Sequence, residues 1–556
     1  MARPTSKRSF WDRELQVVAS SSFESTRLLG LLILLASLVM IALSGWLASQ
    51  AQAKGWLFAR SQTLSVATLA ELQTLEPARM LRLEEWQTAA PLFETLVQVG
   101  ERPGEFEPGL AQSWLVEEGG KVWTFTLREG VFFHNGQRLT AQAVVQWLEH
   151  LCGGERPNPY LWSQFPYIAA SLGGKRPLLE RVQAVDERRV RFTLRRPLAD
   201  FLEVLAAPAW GVVSPASYQE GGFVPIGTGP YQLVEWRPGQ RLSLRLFSGY
   251  WREKPQIERL LLLSLPPAQL RVRELRRGNV DIALDLPLEQ IERLEREGRI
   301  KIQTGPSRGL VAVAPNCSHR PFSDLRGRLA LQYALPKREI YRRFCLERGQ
   351  VGGDIFSPLS WARSKHLKSP EYSPHKAKRL FDRVYGSQQG PRHLSLIYRR
   401  YNSLLEEPQR LANFLSQRLG ELGLAVSTYP LEEEEYNLAL RSGQYDLVLR
   451  LESWPWVDPA TELNLSWAWA PGLNRLYNPA NYYSNRLSLL GEGARFVGLQ
   501  AEREAAYAEV QEKLAQDGVA LNLAWTEIYH GCGLKVANLV SNRWGLLDLG
   551  AVVVEE

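Results

Sequence analysis

The seven histidines are the residues of this sequence best suited to acid–base or metal chemistry, because imidazole changes protonation near neutral pH and ligates metal ions. They lie at positions 134, 150, 319, 366, 375, 393 and 530. No two of them have the spacing that places metal ligands on one helical face, and the metalloprotease pattern HExxH does not occur. The spacing of the histidines therefore gives no indication of a metal site, although distant residues could converge in space.

Two other runs could be taken for functional motifs. Gly227-Thr228-Gly229 begins like a dinucleotide-binding loop, but Pro230 follows and the third glycine is missing, so we interpret it as a tight scaffold turn. Glu432 to Glu435 holds four successive carboxylates, which we interpret as the solvated first turn of a helix, where negative charge suits the helix dipole. The sequence thus predicts no catalytic residue, metal or cofactor, although a hydrolase site assembled from distant residues stays open.

Composition narrows the class of protein further. The chain has 556 residues, of which 45% are hydrophobic and 22% charged, which is typical of a globular protein and excludes disorder over most of its length. At about 150 residues per domain it holds three to four domain-sized units. The net charge of +7 is spread without a cluster of lysine and arginine, so no nucleic-acid partner is expected.

The first fifty residues predict where the protein is located. Leu28 to Leu47 contains no charged residue, and at 1.5 Å per residue its length of about 30 Å is enough to cross a bilayer once. Basic residues precede it, so we expect residues 1–27 in the cytoplasm and the main domain outside the cytoplasmic membrane, in the periplasm. Two alternatives remain: residues 28–47 are a retained single-pass anchor, or a signal peptide cleaved after Ala51-Gln52-Ala53. In that oxidising compartment the four cysteines could pair or stay free thiols.

The patterns of the remaining chain mix strands with helices. Lys121–Leu127 alternates like a strand, and Val182–Leu194 predicts a hairpin. Thr140 is suited to cap the helix that follows it, and Pro408 is suited to begin another helix. Tyr445–Leu451 is typical of a buried strand. The sequence therefore predicts an α/β fold.

Five stretches, taken together, resemble one family. They appear in the family's order and are Pro108–Val144, Ile226–Trp251, Arg320–Arg338, Gln444–Pro459, and the segment from the helix around Arg503 to the strand Leu521–Trp525. They are similar to the extracytoplasmic solute-binding proteins of ABC importers, family 5, which includes dipeptide, oligopeptide and nickel receptors. One departure is Ala143, where the family usually has aspartate.

The resemblance implies a fold and a division into lobes. It implies a two-lobed α/β fold like that of type II periplasmic binding proteins, in the class with an extra domain, preceded by the transmembrane helix. We expect a first lobe over residues 54–305 with an inserted small domain at about 95–205, a second lobe over 306–516, and a return to the first lobe over 517–556. The hinge crossings are expected near Gly305–Ala312 and Asp517–Ala524.

The resemblance also implies site residues. Receptors of dipeptides hold the ligand carboxylate with an arginine and the ligand amino group with an aspartate. Arg399, in Tyr398-Arg399-Arg400-Tyr401-Asn402, matches the arginine, and Tyr401 is counted with the ligand-binding residues. Pro455 stands where the aspartate is usual. Either Glu452 or Asp458 replaces it, or the ligand has no free α-amino group.

Trp454 and Trp456 flank Pro455 and could stack on a ring or a sugar, or hold a cation. The resemblance therefore implies a non-enzymatic receptor that binds a peptide, closes its lobes and delivers the ligand to an ABC permease. Two alternatives stay open: the same fold binding an opine, an oligosaccharide or a metal chelate, or a tethered sensor or scaffold.

Overall fold

The computed structural model describes most of the chain after residue 62. The described residues are 63–80, 82–102, 104–153, 168, 172, 177–353, 355–364, 366, 367, 369–386, 392–454, 459–466 and 478–555. From Thr63 onward the chain forms one compact unit. Leu28–Leu47 and the Ala51–Ala53 cleavage site lie outside the described residues. Among the described helices, none is both long enough and apolar enough to cross a membrane.

The first lobe is built on a seven-stranded mixed sheet. Its strands, in spatial order, are Tyr231–Arg237, Arg241–Leu246, Arg259–Ser264, Thr63–Thr68, Ile282–Ala283, Tyr529–Gly533 and Ile300–Thr304. The central strand Thr63–Thr68 runs parallel to both of its neighbours and is buried along most of its length. The α-helices of this lobe are Leu83–Ala89, Ala268–Arg276 and Leu288–Glu297.

A smaller antiparallel sheet is inserted into the first lobe. Its strands, in spatial order, are Ala111–Glu117, Val122–Leu127, Arg189–Leu194 and Leu179–Ala184. The expected strand at residues 121–127 and the expected hairpin are confirmed. The helix Ala141–Cys152 packs on this sheet, the helix Phe201–Ala206 follows, and Phe125 lies edge-to-face with Phe192 at 5.4 Å. Three two-stranded ribbons complete this half of the molecule: Val97–Val99 with Phe106–Pro108, Tyr218–Gln219 with Gly222–Phe223, and Val536–Ala537 with Val553–Val554.

The second lobe is built on a six-stranded sheet. Its strands, in spatial order, are Gly349–Val351, Leu521–Thr526, Gly309–Pro315, Leu447–Ser453, Arg392–Arg399 and Leu424–Leu431. Its helices are Leu325–Ala334, Lys337–Phe344, Pro374–Tyr385, Pro408–Gly420, Glu433–Ser442, Pro459–Ser466, Asn485–Arg495 and Gln500–Gln516. The helix expected to begin at Pro408 is confirmed, and its buried Leu411 and Leu415 cover the sheet as the apolar pattern requires.

Two short segments connect the lobes. Residues 305–308 join strand Ile300–Thr304 of the first sheet to strand Gly309–Pro315 of the second, and residues 527–528 lead back. The return was expected to begin near Asp517, but strand Leu521–Thr526 still pairs with the second sheet, so the crossing follows it. The other lobe boundaries stay a prediction.

Residues 305–309 of the first crossing match the pattern GxSxG of a nucleophile elbow. They join two strands, however, whereas a nucleophile elbow joins a strand to a helix.

The turn at Gly227-Thr228-Gly229 belongs to the scaffold of the first lobe. Neither glycine has a positive φ. A Cβ on Gly227 would overlap the carbonyl oxygen of Leu92, and one on Gly229 would overlap that of Pro91. Close approach to a neighbouring backbone, rather than unusual dihedral angles, therefore requires glycine at both positions.

Two histidines and three cysteines among the described residues are buried or partly buried parts of the scaffold. His134 accepts a hydrogen bond at Nδ1 from the Gly227 N–H over 3.2 Å, and burial lowers the pKa of its imidazole to about 4. Burial likewise lowers the pKa of His530 to about 4. Both rings are therefore neutral at pH 7. Cys317, Cys345 and Cys532 are free thiols.

We predict that Thr140 stabilises the first turn of its helix. Its side-chain oxygen accepts a hydrogen bond from the Ala143 N–H over 3.2 Å. Thr140→Ala removes this bond and should lower the free energy of unfolding by about 1 kcal/mol, measured by urea denaturation. Thr140→Ser keeps the hydroxyl and is the matched control. Equal loss in both variants would show that the methyl group, and not the cap, is responsible.

Candidate functional site

Three parallel strands of the second sheet end at the same edge. Strand Arg392–Arg399 runs parallel to both Leu424–Leu431 and Leu447–Ser453. In open α/β sheets, ligands bind beside the carboxyl ends of such strands. Arg399 is the last residue of its strand, Glu433 opens the helix after the second, and Glu452 lies near the end of the third. The fold therefore gathers one arginine and two glutamates at one edge.

Ion pairs connect these three side chains to one another, and one pair reaches the first lobe. Nη1 of Arg399 donates to Oε2 of Glu452 over 3.2 Å. Nε of Arg399 lies 2.9 Å from Oε2 of Glu433. On the other side, Nη1 of Arg82 donates to the same Glu433 oxygen over 3.0 Å. Since Arg82 precedes the first-lobe helix Leu83–Ala89, Glu433 connects the two lobes.

The charges of these ion-paired side chains are well compensated. Burial alone would raise the pKa of the Glu433 carboxyl, but Arg399 and Arg82 outweigh it and lower that pKa to about 2. Glu452 is also buried, and Arg450 and Arg399 hold its pKa below the usual value. Burial opposes the charge of Arg399, yet Glu433 and other neighbours raise its pKa. All these groups are therefore ionised at neutral pH, as a buried network requires.

Arg82 has further acidic partners on its own lobe. Glu85 accepts from Arg82 Nη2 over 3.3 Å and from its backbone N–H over 3.0 Å. A carboxylate oxygen of Glu84 lies 3.6 Å from Arg82 Nη1. Burial raises the pKa of Glu84 to about 7, although Arg82 opposes the shift. The helix start thus holds the Arg82 side chain in place for Glu433.

Aromatic rings border the ion pairs. Arg399 lies over the ring of Tyr436 at 4.5 Å, and Arg450 lies over the ring of Trp454 at 4.7 Å. Trp454 is 3% exposed and meets Trp525 edge-to-face, with 6.4 Å between ring centroids. Among the described residues, the indole N–H groups of Trp454 and Trp525 have no hydrogen-bond acceptor. Two buried donors therefore lie beside the charged edge.

A small cavity of about 20 Å³ remains between the lobes at this point. Its walls are Leu69, Glu71, Arg82 and Pro266 of the first lobe, and Arg399, Tyr401, Leu431, Glu432 and Glu433 of the second. A water molecule is the largest guest that such a volume admits. Burial and the nearby glutamates raise the pKa of Glu71, against the effect of Arg82. The lobes are thus closed at this edge.

The structure brings four of the six expected ligand-binding residues to this region. Arg399 and Glu452 pair with each other, and Trp454 follows Glu452 along the chain. Tyr401 lines the interlobe cavity and is 37% exposed. Trp456 and Asp458, together with Pro455, lie outside the described residues. Whether these six residues bind a ligand stays a prediction.

Two observations go beyond the sequence analysis. The expectation that Glu432 to Glu435 is a solvated run is wrong for Glu433, which is paired with two arginines. The missed signal is position: a helix that begins directly after strand Leu424–Leu431 places its first turn at the sheet edge. Arg82 was missed as well, because its contact with Glu433 spans 351 residues and no local pattern predicts it.

The architecture consists of two α/β lobes, two crossings between them and an interlobe site. Comparison with known proteins identifies the family that has it. Residues 105–473 match the family model of bacterial extracellular solute-binding proteins, family 5. The match covers more than half of the chain, and the chain belongs to this family. It is therefore a non-enzymatic solute-binding component of an ABC transporter, and the hydrolase alternative falls.

Individual relatives agree with this assignment. The chain is 27% identical over 431 residues to di/tripeptide-binding protein 2 of Pseudomonas aeruginosa, which covers 74% of this chain and 79% of the relative. The structure of the periplasmic binding protein DppA of Helicobacter pylori with the peptide STSA is similar with a TM-score of 0.79 and 24% identity, over 89% of this chain and 98% of the other. The structure of a dipeptide-binding protein of Pseudoalteromonas sp. SM9913 in complex with Met-Leu is similar with a TM-score of 0.80 and 21% identity, over 89% of this chain and 100% of the other. These structural likenesses show the fold.

We predict a pH-dependent contribution of Glu433 to stability. Its pKa in the folded protein, about 2, lies below the ordinary value of 4.5. Its stabilisation is therefore full above the ordinary pKa and is lost as the pH falls from about 4.5 toward 2. Glu433→Gln should lower the free energy of unfolding by about 1 to 3 kcal/mol at pH 7.

Urea denaturation from pH 7 to pH 3 measures this difference. The difference in the free energy of unfolding between wild type and Glu433→Gln should become smaller below about pH 4.5. Glu432→Gln is the matched control, because Glu432 pairs at 2.8 Å with Arg400 while both side chains are half exposed. A gap that stays constant down to pH 3 would contradict the assigned ion pairs.

Proposed function

We propose that this protein captures peptides outside the cytoplasmic membrane and presents them to an ABC permease. The observation that carries the proposal is the interlobe edge, where charged and aromatic side chains of the second lobe face Arg82 of the first. The names of several relatives, among them the di/tripeptide-binding protein above, support peptide as the ligand class.

Lobe closure is the proposed mechanism of capture. The lobes are connected by residues 305–308 and 527–528, short segments that suit a hinge. Besides Arg82 and Glu433, a second interlobe ion pair joins Asp200 and Arg495 at 3.0 Å, with both side chains almost fully buried. Both pairs need the lobes to be in contact, so they favour the closed form.

The ligand is proposed to bind beside Trp454 and Tyr401. The indole N–H of Trp454 is a buried donor without an acceptor in the described chain, and a peptide carbonyl would supply one. Trp456 and Asp458 follow Trp454 closely in sequence and are proposed to complete the site. Glu452 is already paired with Arg450 and Arg399, so Asp458 is the better candidate for a ligand amino group.

The N-terminal segment is proposed to hold the receptor at the membrane. Residues 28–47 have the length and apolar character of one transmembrane helix, and residues 1–27 would remain in the cytoplasm. We predict that N-terminal sequencing of the protein isolated from the membrane fraction finds the uncleaved start. A sequence that begins at Lys54 would instead establish a cleaved signal peptide.

We predict that the purified protein carries or accepts peptides. Mass spectrometry after denaturation should detect released peptides, because a closed cleft retains its ligand. A ligand present at a hundredfold excess over its Kd should raise the free energy of unfolding by about 2.7 kcal/mol, measured by thermal shift. Release of an opine, a sugar or a metal chelate, with no stabilisation by peptides, would contradict the peptide assignment and leave the receptor class intact.

A further inference from the structure

We propose that Glu433 occupies the carboxylate-binding position at Arg399, so that this receptor selects peptides whose end at Arg399 carries no free carboxylate, such as C-terminally amidated peptides. This inference rests on the proposed peptide-binding function and specifies the class of peptide.

A glutamate oxygen lies beside each edge of the Arg399 guanidinium. A ligand carboxylate binds arginine best through two parallel N–H groups on one edge. On one edge, Nη1 donates to Glu452 over 3.2 Å. On the other, Nε lies 2.9 Å from an oxygen of Glu433. A ligand carboxylate could therefore bind through at most the remaining Nη2, unless it displaced one of these glutamates.

The net charge of the region also disfavours a carboxylate. The guanidinium groups of Arg82, Arg399 and Arg450 are balanced by Glu433, Glu452 and Glu85. Glu71 lines the same cavity and adds a further acidic group. An incoming carboxylate would meet this surplus in a partly buried place, where charges are weakly screened. An uncharged amide end avoids that repulsion.

Displacing Glu433 would also loosen the closed form. The same Glu433 oxygen that lies beside Arg399 accepts a hydrogen bond from Arg82 of the first lobe. A ligand carboxylate that moved Glu433 away would leave a buried carboxylate short of partners and break this contact between lobes. Ligands with a free carboxylate at this end therefore oppose closure, whereas capped ligands do not.

Competition between two peptide libraries tests the inference. A mixed tripeptide library is prepared with free and with amidated C-termini, and equal amounts are offered to the full-length receptor stripped of ligand. Mass spectrometry quantifies the retained peptides. Wild type should retain the amidated library at least tenfold over the free acids. Glu433→Gln should reduce this ratio tenfold or more, because it removes the negative charge that competes with a ligand carboxylate for Arg399.

Glu434→Gln, at a neighbouring exposed position of the same helix, should keep the wild-type ratio. Free acids retained as well as amides by wild type would overturn the inference while supporting the proposed function, as would an unchanged ratio in Glu433→Gln. Retention of neither library by wild type or variants would remove the peptide function and the inference together. If Glu433→Gln does not fold, the wild-type ratio decides alone.

Discussion

The ion pair between Glu433 and Arg82 joins the two lobes, and the charge balance of the surrounding side chains depends on it. It joins a residue at the edge of the second sheet to one at the start of a first-lobe helix, and both side chains are largely buried. Charges in such places are costly unless each has partners. Those partners are Arg399, Glu452, Arg450 and Glu85, so each buried charge of the network has an opposite charge beside it. Arg82 of the first lobe and Glu433 of the second therefore compensate each other's charge only while the two lobes are in contact.

The sheet topology explains why these residues meet. Three parallel strands end at one edge and bring Arg399, Glu452 and, at the start of the following helix, Glu433 together, although the three residues are up to 53 positions apart. Alternation along strand Leu447–Ser453 places Arg450 and Glu452 on the same face, and Trp454 continues that face beyond its end. The sheet topology therefore places these side chains together whatever their separation along the chain.

Local parts of the fold could be predicted from the sequence because their causes are local. The cap at Thr140 and the helix that begins at Pro408 follow from residue type and apolar periodicity. The role of Glu433 could not be predicted in this way. Four successive glutamates suit both a solvated helix start and a buried one, and only the tertiary contact with Arg82 distinguishes the two.

The same distinction applies to the crossings and the glycine turn. The first crossing lies where glycine and proline interrupt two strand patterns. The second follows strand Leu521–Thr526, and one of the two partners of this strand in the sheet is over 200 residues away. Gly227 and Gly229 are required by the carbonyl groups of a distant helix end, not by their own dihedral angles. Arg399 was expected to be open to a ligand, and its two glutamate partners come from other strands and helices.

The distance between the lobes tests the central claim most directly. Spin labels at Val234→Cys in the first lobe and Leu438→Cys in the second, both exposed positions, allow it to be measured by double electron–electron resonance in the full-length protein. Addition of the amidated tripeptide library should give a shorter and narrower distance distribution than the ligand-stripped protein shows. An additional Arg82→Gln substitution should weaken this change. A distribution that is identical with and without peptides would contradict capture by lobe closure.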